Sequence, residues 1–180
     1  MAARYTTTQT RVTRELLILR HGKSAWATGL SDFDRPLKSR GKRNARQIGE
    51  WLITQERVPD LCVSSPAKRA AGTAKRAWRT MGLKKRDIVY EPRLYHPDKG
   101  VILDVVRHLP NKSKRALIVS HNYGLEQFVF DVAEPATPPI SETHYLPTSA
   151  LVVFRIDGQW CDAAWGAASL VAWVYPRSLD

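Results

Sequence analysis

Apolar runs of strand length alternate along this chain with segments whose apolar residues recur at helical spacing. Leu16-Leu17-Ile18-Leu19 predicts a first strand over Glu15 to Arg20, and Ala45, Ile48 and Leu52 mark one face of a helix between Ser39 and Gln55. Asp60 to Ser64 reads as a second strand. Ser65-Pro66 then supplies a helix N-cap and a proline at the first helical position, and Ala70, Ala74, Ala77 and Met81 continue that helix on one face. A short third strand is expected over Asp87 to Glu91. Val101, Ile102, Val105, Val106 and Leu109 mark a helix closed by Pro110. Ala116 to Ser120 reads as the next strand, followed by a helix with Leu125, Phe128, Val129 and Val132 inward. Glu134 to Pro147 holds four prolines and reads as a loop. Leu151 to Ile156, Trp160 to Trp165 and Leu170 to Tyr175 are the expected closing strands, with Asp157-Gly158 turning between the first two.

This alternation predicts an α/β domain of three layers, α/β/α, around a mostly parallel central sheet. A chain of 180 residues buries a substantial core without disulfide or metal support. One domain is expected over residues 14–180. Residues 1–13 contain no acidic group and lack the apolar core of a secretory signal, so they read as a disordered leader. The longest uncharged, mostly apolar stretch, Ala163 to Pro176, has 14 residues and falls short of the ~20 that a membrane helix needs.

Cys62 sits in the apolar run Leu61-Cys62-Val63 and Cys161 stands alone near the C-terminus, which suits free thiols in the reducing cytoplasm. No His, Cys and Asp residues share a zinc-like spacing, so no metal is expected. The net charge of +11 is unevenly spread: Arg35 to Arg46 holds six Lys or Arg and Lys68 to Arg86 holds eight, with no acid in either segment. Such segments solvate a surface or attract phosphorylated partners. No recognition motif for nucleic acid accompanies the charge.

The chemistry concentrates at strand ends. Arg20-His21-Gly22 stands where the first apolar run stops, and Ala116-Leu117-Ile118-Val119-Ser120 runs straight into His121. Open α/β sheets bind ligands outside the carboxyl ends of their strands, where loops from several strands converge. Arg69 falls in the first turn of the helix after the second strand. A cation there opposes the helix dipole and costs a few tenths of a kcal/mol up to about 1, which a bound anion offsets. A lone histidine at a strand end is most often structural. Two histidines and two arginines from three segments instead describe a phosphate pocket, with arginine matching the oxygens in a bidentate fork.

In this order, Arg20-His21-Gly22, Ser31-Asp32-Phe33-Asp34-Arg35-Pro36-Leu37 with Arg40-Gly41, Ser64-Ser65-Pro66 with Arg69-Ala70, Val119-Ser120-His121-Asn122 and Thr148-Ser149-Ala150 resemble the histidine phosphatase superfamily. This is the phosphoglycerate-mutase-like fold, and the resemblance is to its SixA-type phosphohistidine phosphatase branch over residues 15 to 176. It implies a nucleophilic His21, with Arg20, Arg69 and His121 holding the equatorial phosphoryl oxygens and a phosphohistidine intermediate that reacts with water. It implies no cofactor. Lys23, Asn122 and Ser65 flank these motifs and are the expected substrate contacts.

The proton donor of the mutase-like branch is a glutamate after the third strand; here the aligned position falls at Tyr95 or His96. Asp32, Asp34 and Glu91 are the candidate donors in its place. Weak acid assistance suits phosphohistidine, whose imidazole leaves with a conjugate-acid pKa of about 6.5. The expected substrate is therefore a phosphorylated protein, such as a phosphorelay domain, acted on by a monomer. Two alternatives stand beside it: a small-molecule phosphomonoesterase of the same mechanism, and a non-catalytic module binding phosphate or nucleic acid. His108 reads as structural, and His144 lies in the proline-rich loop that could cover the site.

Overall fold

Strand β1 (Thr13–Arg20) runs through the middle of a six-stranded sheet, with β4 (Arg115–Ser120) on one side and β5 (Leu151–Asp157) on the other. In this computed structural model, which describes residues 12–26, 29–135 and 145–179, the strand order is β3-β2-β4-β1-β5-β6. Strands β2 (Leu61–Ser64) and β3 (Ile88–Tyr90) continue the parallel half; β5 and β6 (Ala168–Val174) add antiparallel pairings. Only β5 runs against the other strands, as a mostly parallel sheet requires.

Alternation along β1 sorts the core into two layers, since neighbouring side chains point to opposite faces. Leu17 and Leu19 pack with Ile48 and Leu52 of α1 (Ser39–Thr54) and with Ala70, Ala74 and Trp78 of α2 (Lys68–Thr80). Leu16 and Ile18 pack with Ile102, Val105 and Val106 of α3 (Lys99–Arg107) and with Leu125, Phe128 and Val129 of α4 (Gly124–Val132). The result is a layer of two helices on each face. The described residues contain no helix long and apolar enough to cross a membrane.

Several boundaries depart from the pattern along the chain. Trp160 to Trp165 is not a strand: Trp160–Asp162 is a 3-10 turn whose flanks are closed reciprocally by the side chains of Gln159 and Asp162, and Trp160 is wholly buried with its Nε1 donating to Ser113 O at 2.9 Å. Trp160 plugs the core from this turn, with Trp165 left exposed, instead of the two alternating across a sheet. Helix α2 starts at Lys68 with Ala67 as its N-cap, so Ser65 and Pro66 stand outside the helix. Asp98, whose side chain accepts from Val101 N at 2.9 Å, caps α3, and His108 is that helix's C-terminal flank rather than an interior residue. Thr13, expected in the leader, already pairs with Asp157 in the sheet. The expected disorder of the leader and the position of His144 lie outside the described residues.

Candidate active site

The register of the central strands explains the site. Arg20 on β1 pairs with Ser120 on β4, so both strands finish on one line and each is followed by a histidine. His21 and His121 consequently meet, with ring centroids 5.0 Å apart. A close approach of two glycines holds the loop after β1 in place: a Cβ on Gly41 would stand 2.4 Å from Lys23 O, and one on Gly22 would stand 2.9 Å from Gly41 O. Any larger residue at position 41 would push α1 off the catalytic loop. Gly22 N donates to Thr73 Oγ1 at 2.9 Å, and Thr73 donates to Arg69 O at 2.7 Å, which ties the same loop to α2.

A cleft of about 450 Å³ opens over these strand ends, lined in part by Arg20, His21, Asp32, Arg69, His96 and His121. His21 Nδ1 lies 2.8 Å from Gly22 O, which accepts only if Nδ1 carries the proton, so the lone pair is on Nε2. Burial, reinforced by Arg69, Arg20 and Arg35 and opposed by the Gly22 bond, pushes the His21 pKa down to about 4. The imidazole is therefore neutral at neutral pH. Burial and the neighbouring His21 and Arg69 also hold His121 well below the usual histidine range.

Ser65 sets the state of His121. Its Oγ accepts from Ala67 N at 3.3 Å, and the acceptor its own hydroxyl hydrogen finds is His121 Nε2, 2.8 Å away, which assigns the direction of that bond. That leaves the His121 proton on Nδ1, a buried atom with no partner. Arg20 Nε and Arg69 Nε are likewise buried and unpaired. Buried donors are normally satisfied. The three residues that carry these unpaired donors border one cleft, at the ends of β1 and β4 and the start of α2, and their cationic and imidazole side chains suit a tetrahedral oxyanion. The N-termini of α1 and α2 contain no acidic residue in their first turns, which leaves their positive ends available to an anion.

Arg20, His21, Arg69 and His121 thus converge, and Lys23 and Asn122 line the same cleft. Asn122 Nδ2 donates to Glu126 Oε2 at 3.0 Å, and Glu126 Oε1 accepts from Leu146 N at 2.7 Å, which fixes the far rim. Ser65 is not a cleft-lining residue: it is fully buried behind His121 and reaches the site only through that ring. Asp34 is paired with Ser31 and Lys68, and Glu91 with Arg93; neither lines the cleft. Asp34 turns to a cation at the start of α2 and Glu91 to one in its own turn.

Asp32 does reach the cleft, but as an ionised hub and not as a carboxylic acid. It accepts from Arg35 Nη1 (2.8 Å), Arg69 Nη2 (2.8 Å), Tyr95 Oη (2.9 Å) and His96 Nε2 (3.0 Å). Partial burial opposes its ionisation, and the bonds from Arg35, His96, Tyr95 and Arg69 outweigh this and hold it far below the usual carboxylate range. The roles of Tyr95 and Thr73 escape the sequence pattern, because each acts through a partner distant in sequence, and Arg35 acts through Asp32 three residues before it. The only local sign is the polar run Ser31 to Arg35, which Lys68 N anchors to α2 by donating to Phe33 O at 3.0 Å.

Comparison with known proteins agrees with this geometry. The family model for the histidine phosphatase superfamily, branch 1, matches residues 16–102, which include Arg20, His21 and Arg69. An uncharacterized protein of Mycobacterium tuberculosis is 32% identical over 165 residues, 88% of this chain and 100% of that one. A structure assigned as the phosphohistidine phosphatase SixA from Nakamurella multipartitia superposes with a TM-score of 0.80 at 25% identity, covering 91% of this chain and 96% of the other. The protein histidine phosphatase SixA complexed with tungstate shares the fold, with a TM-score of 0.76 at 24% identity over 92% of this chain and 99% of its own. With an Arg-His-Gly strand end facing a second histidine and a buried arginine, the chain belongs to the histidine phosphatase superfamily, has the SixA-type architecture, and is a phosphatase.

Proposed function

We propose that the protein dephosphorylates phosphohistidine on a protein partner in two in-line steps. His21 Nε2 attacks phosphorus, the bond from phosphorus to the substrate imidazole breaks with its electron pair leaving on nitrogen, and a phosphoryl group rests on His21. Water then attacks, the bond from phosphorus to His21 breaks, and inorganic phosphate departs. Arg20, Arg69 and His121 hold the equatorial oxygens, and Lys23 and Asn122 contact the substrate. Phosphoryl transfer depends mainly on positioning and on charges already aimed at the transferred group, and splitting it divides one hard displacement into two easier ones.

One observation carries this reading: a neutral His21, proton fixed on Nδ1, shares its cleft with unpaired buried donors of Arg20, Arg69 and His121. Binding alone needs the charge but not a nucleophile poised in that tautomer. The choice of substrate rests on Asp32, the sole carboxylate among the described lining residues, which is held as the anion by four donors. With no carboxylic acid for an alkoxide and imidazole rings among the cleft's remaining proton-carrying groups, the site suits a leaving group that accepts its proton as readily as an imidazole does. The SixA relative of the same fold forms a complex with tungstate, itself a tetrahedral oxyanion.

Cations border the pocket next to the cleft and continue on the surface of the helices. Arg40, Arg43 and Arg177 border a pocket that shares Thr148 with it, and Arg46, Lys75, Arg76, Arg79 and Lys85 line a groove between α1 and α2. These positions suit an acidic protein surface presenting the phosphohistidine. Comparison of kcat/KM on a phosphohistidine protein and on 3-phosphoglycerate tests the assignment. A preference of at least about 100-fold for the P–N substrate is expected, and equal or reversed values overturn it.

A further inference from the structure

We propose that His96, gripped by Asp32, is the proton carrier of this site, giving a proton to the departing group in the first step and taking one from water in the second. The inference rests on the two-step reading above and adds to it a catalytic residue.

The position is singular in the fold. His96 lies just past the 3-10 turn Pro92–Leu94 that follows β3, and it lines the same cleft as His21 and His121. Its ring centroid lies 5.2 Å from that of His121, which is itself 5.0 Å from His21, so three imidazoles border one space. His96 holds φ at +51°, a left-handed conformation that non-glycine residues rarely adopt and that collects at functional sites. About half of its side chain is exposed, so a bulky leaving group can reach it from solvent. The nucleophile and Arg69, by contrast, are buried.

The chemistry follows from its partner. Asp32 Oδ2 lies 3.0 Å from His96 Nε2, and a carboxylate bonded to one ring nitrogen fixes the ring and orients the other nitrogen. Tyr95, with its ring 4.4 Å from that of His96, donates its hydroxyl to the same carboxylate, and Arg69 and Arg35 complete the set. The groups facing His96 are therefore Asp32, Tyr95 and His121, with Arg69 and Arg35 reached through Asp32. In the first step the electron pair of the breaking bond from phosphorus to the leaving nitrogen stays on that nitrogen, which takes the His96 proton. In the second, neutral His96 accepts a proton from water as its oxygen bonds to phosphorus and the pair of the bond from phosphorus to His21 returns to His21. His96 ends as it began.

His96→Asn keeps a residue that tolerates the left-handed backbone. The probes are dinitrophenyl, p-nitrophenyl and phenyl phosphate, whose leaving groups need increasing help from an acid. The variant is expected to widen the gap in kcat/KM between dinitrophenyl and phenyl phosphate about 100-fold. A parallel loss across the three probes, or no change in the gap, overturns the proposal, since a merely structural residue lowers all three alike. His21→Ala on the same probes reports on the two-step reading separately: turnover there would sink that reading, whatever the His96 variant does.

Discussion

Arg69 Nη2 lies 2.8 Å from Asp32 Oδ2, so the buried guanidinium aimed at the phosphate pocket is already paired with a carboxylate inside the protein. Asp32 also receives the other Nη of Arg69 through its backbone carbonyl, leaving Nε as the unpaired donor. The pairing fixes the guanidinium and places a negative charge beside an anion site. The second effect opposes phosphate directly. Asp32→Asn should therefore tighten inorganic phosphate by about tenfold, the value of one relieved charge contact, while lowering kcat because His96 loses its anion. Calorimetric titration of phosphate checks the sign, and weaker binding in the variant would contradict it.

The buried histidines give the protein an acid sensitivity of known direction. A histidine ordinarily titrates near 6.5, and burial with nearby arginines lowers His21 to about 4. The unfolded chain therefore binds protons first. Stabilisation from the neutral imidazole is complete above about pH 6.5 and is lost as pH falls through about 4, to the extent of about 3 kcal/mol from His21. His121 acts in the same sense. Thermal melting between pH 7 and 4 should fall more steeply in the wild type than in His21→Asn. The same titration places the acid limb of kcat/KM near pH 4; a limb near 6.5 would mean that the nucleophile is not desolvated.

Ser65 predicts a different signature. Its hydroxyl donates to His121 Nε2 and so keeps the His121 proton on the nitrogen without a partner. Ser65→Ala should lower kcat/KM about tenfold and leave Tm within a few degrees, since the side chain fills little volume. Nitrogen NMR of the imidazole should show a mixture of tautomers in the variant. An unchanged tautomer with full activity would remove Ser65 from the site.

Charge on the α1 and α2 surfaces separates protein from small substrates. Arg46, Lys75, Arg79 and Lys85 are exposed, and the surface around them has no acidic lining residue. Exposed charges are screened beyond about 10 Å at 0.1 M salt. The kcat/KM for a phosphohistidine protein should fall at least about tenfold between low and high salt, with a smaller change for p-nitrophenyl phosphate. Equal salt dependence would assign the patches to solubility.

The alternation of apolar runs made the strands and the two core layers legible, because β1 and β4 are apolar on both faces and end on polar chemistry at the same sheet edge. Local pattern misread Trp160 to Trp165, where Trp160 plugs the core from a turn and its indole donates to Ser113, 47 residues away. It also placed the start of α2 at Ser65, whose hydroxyl is used by His121 instead of the helix. Asp32 was visible as a candidate acid. Its four donors come from α2, from its own loop and from the segment after β3, and only the assembled sheet edge reveals that they hold it ionised.

Rapid acid-free quenching of the enzyme with a labelled phosphohistidine protein, followed by mapping of the bound phosphoryl group, tests the nucleophile most directly. The account predicts an acid-labile, base-stable phosphate on His21, formed before inorganic phosphate appears and absent from His21→Ala, whose turnover is lost. Phosphate released with no label on His21, or a His21→Ala enzyme that turns over within tenfold of the wild type, would contradict it.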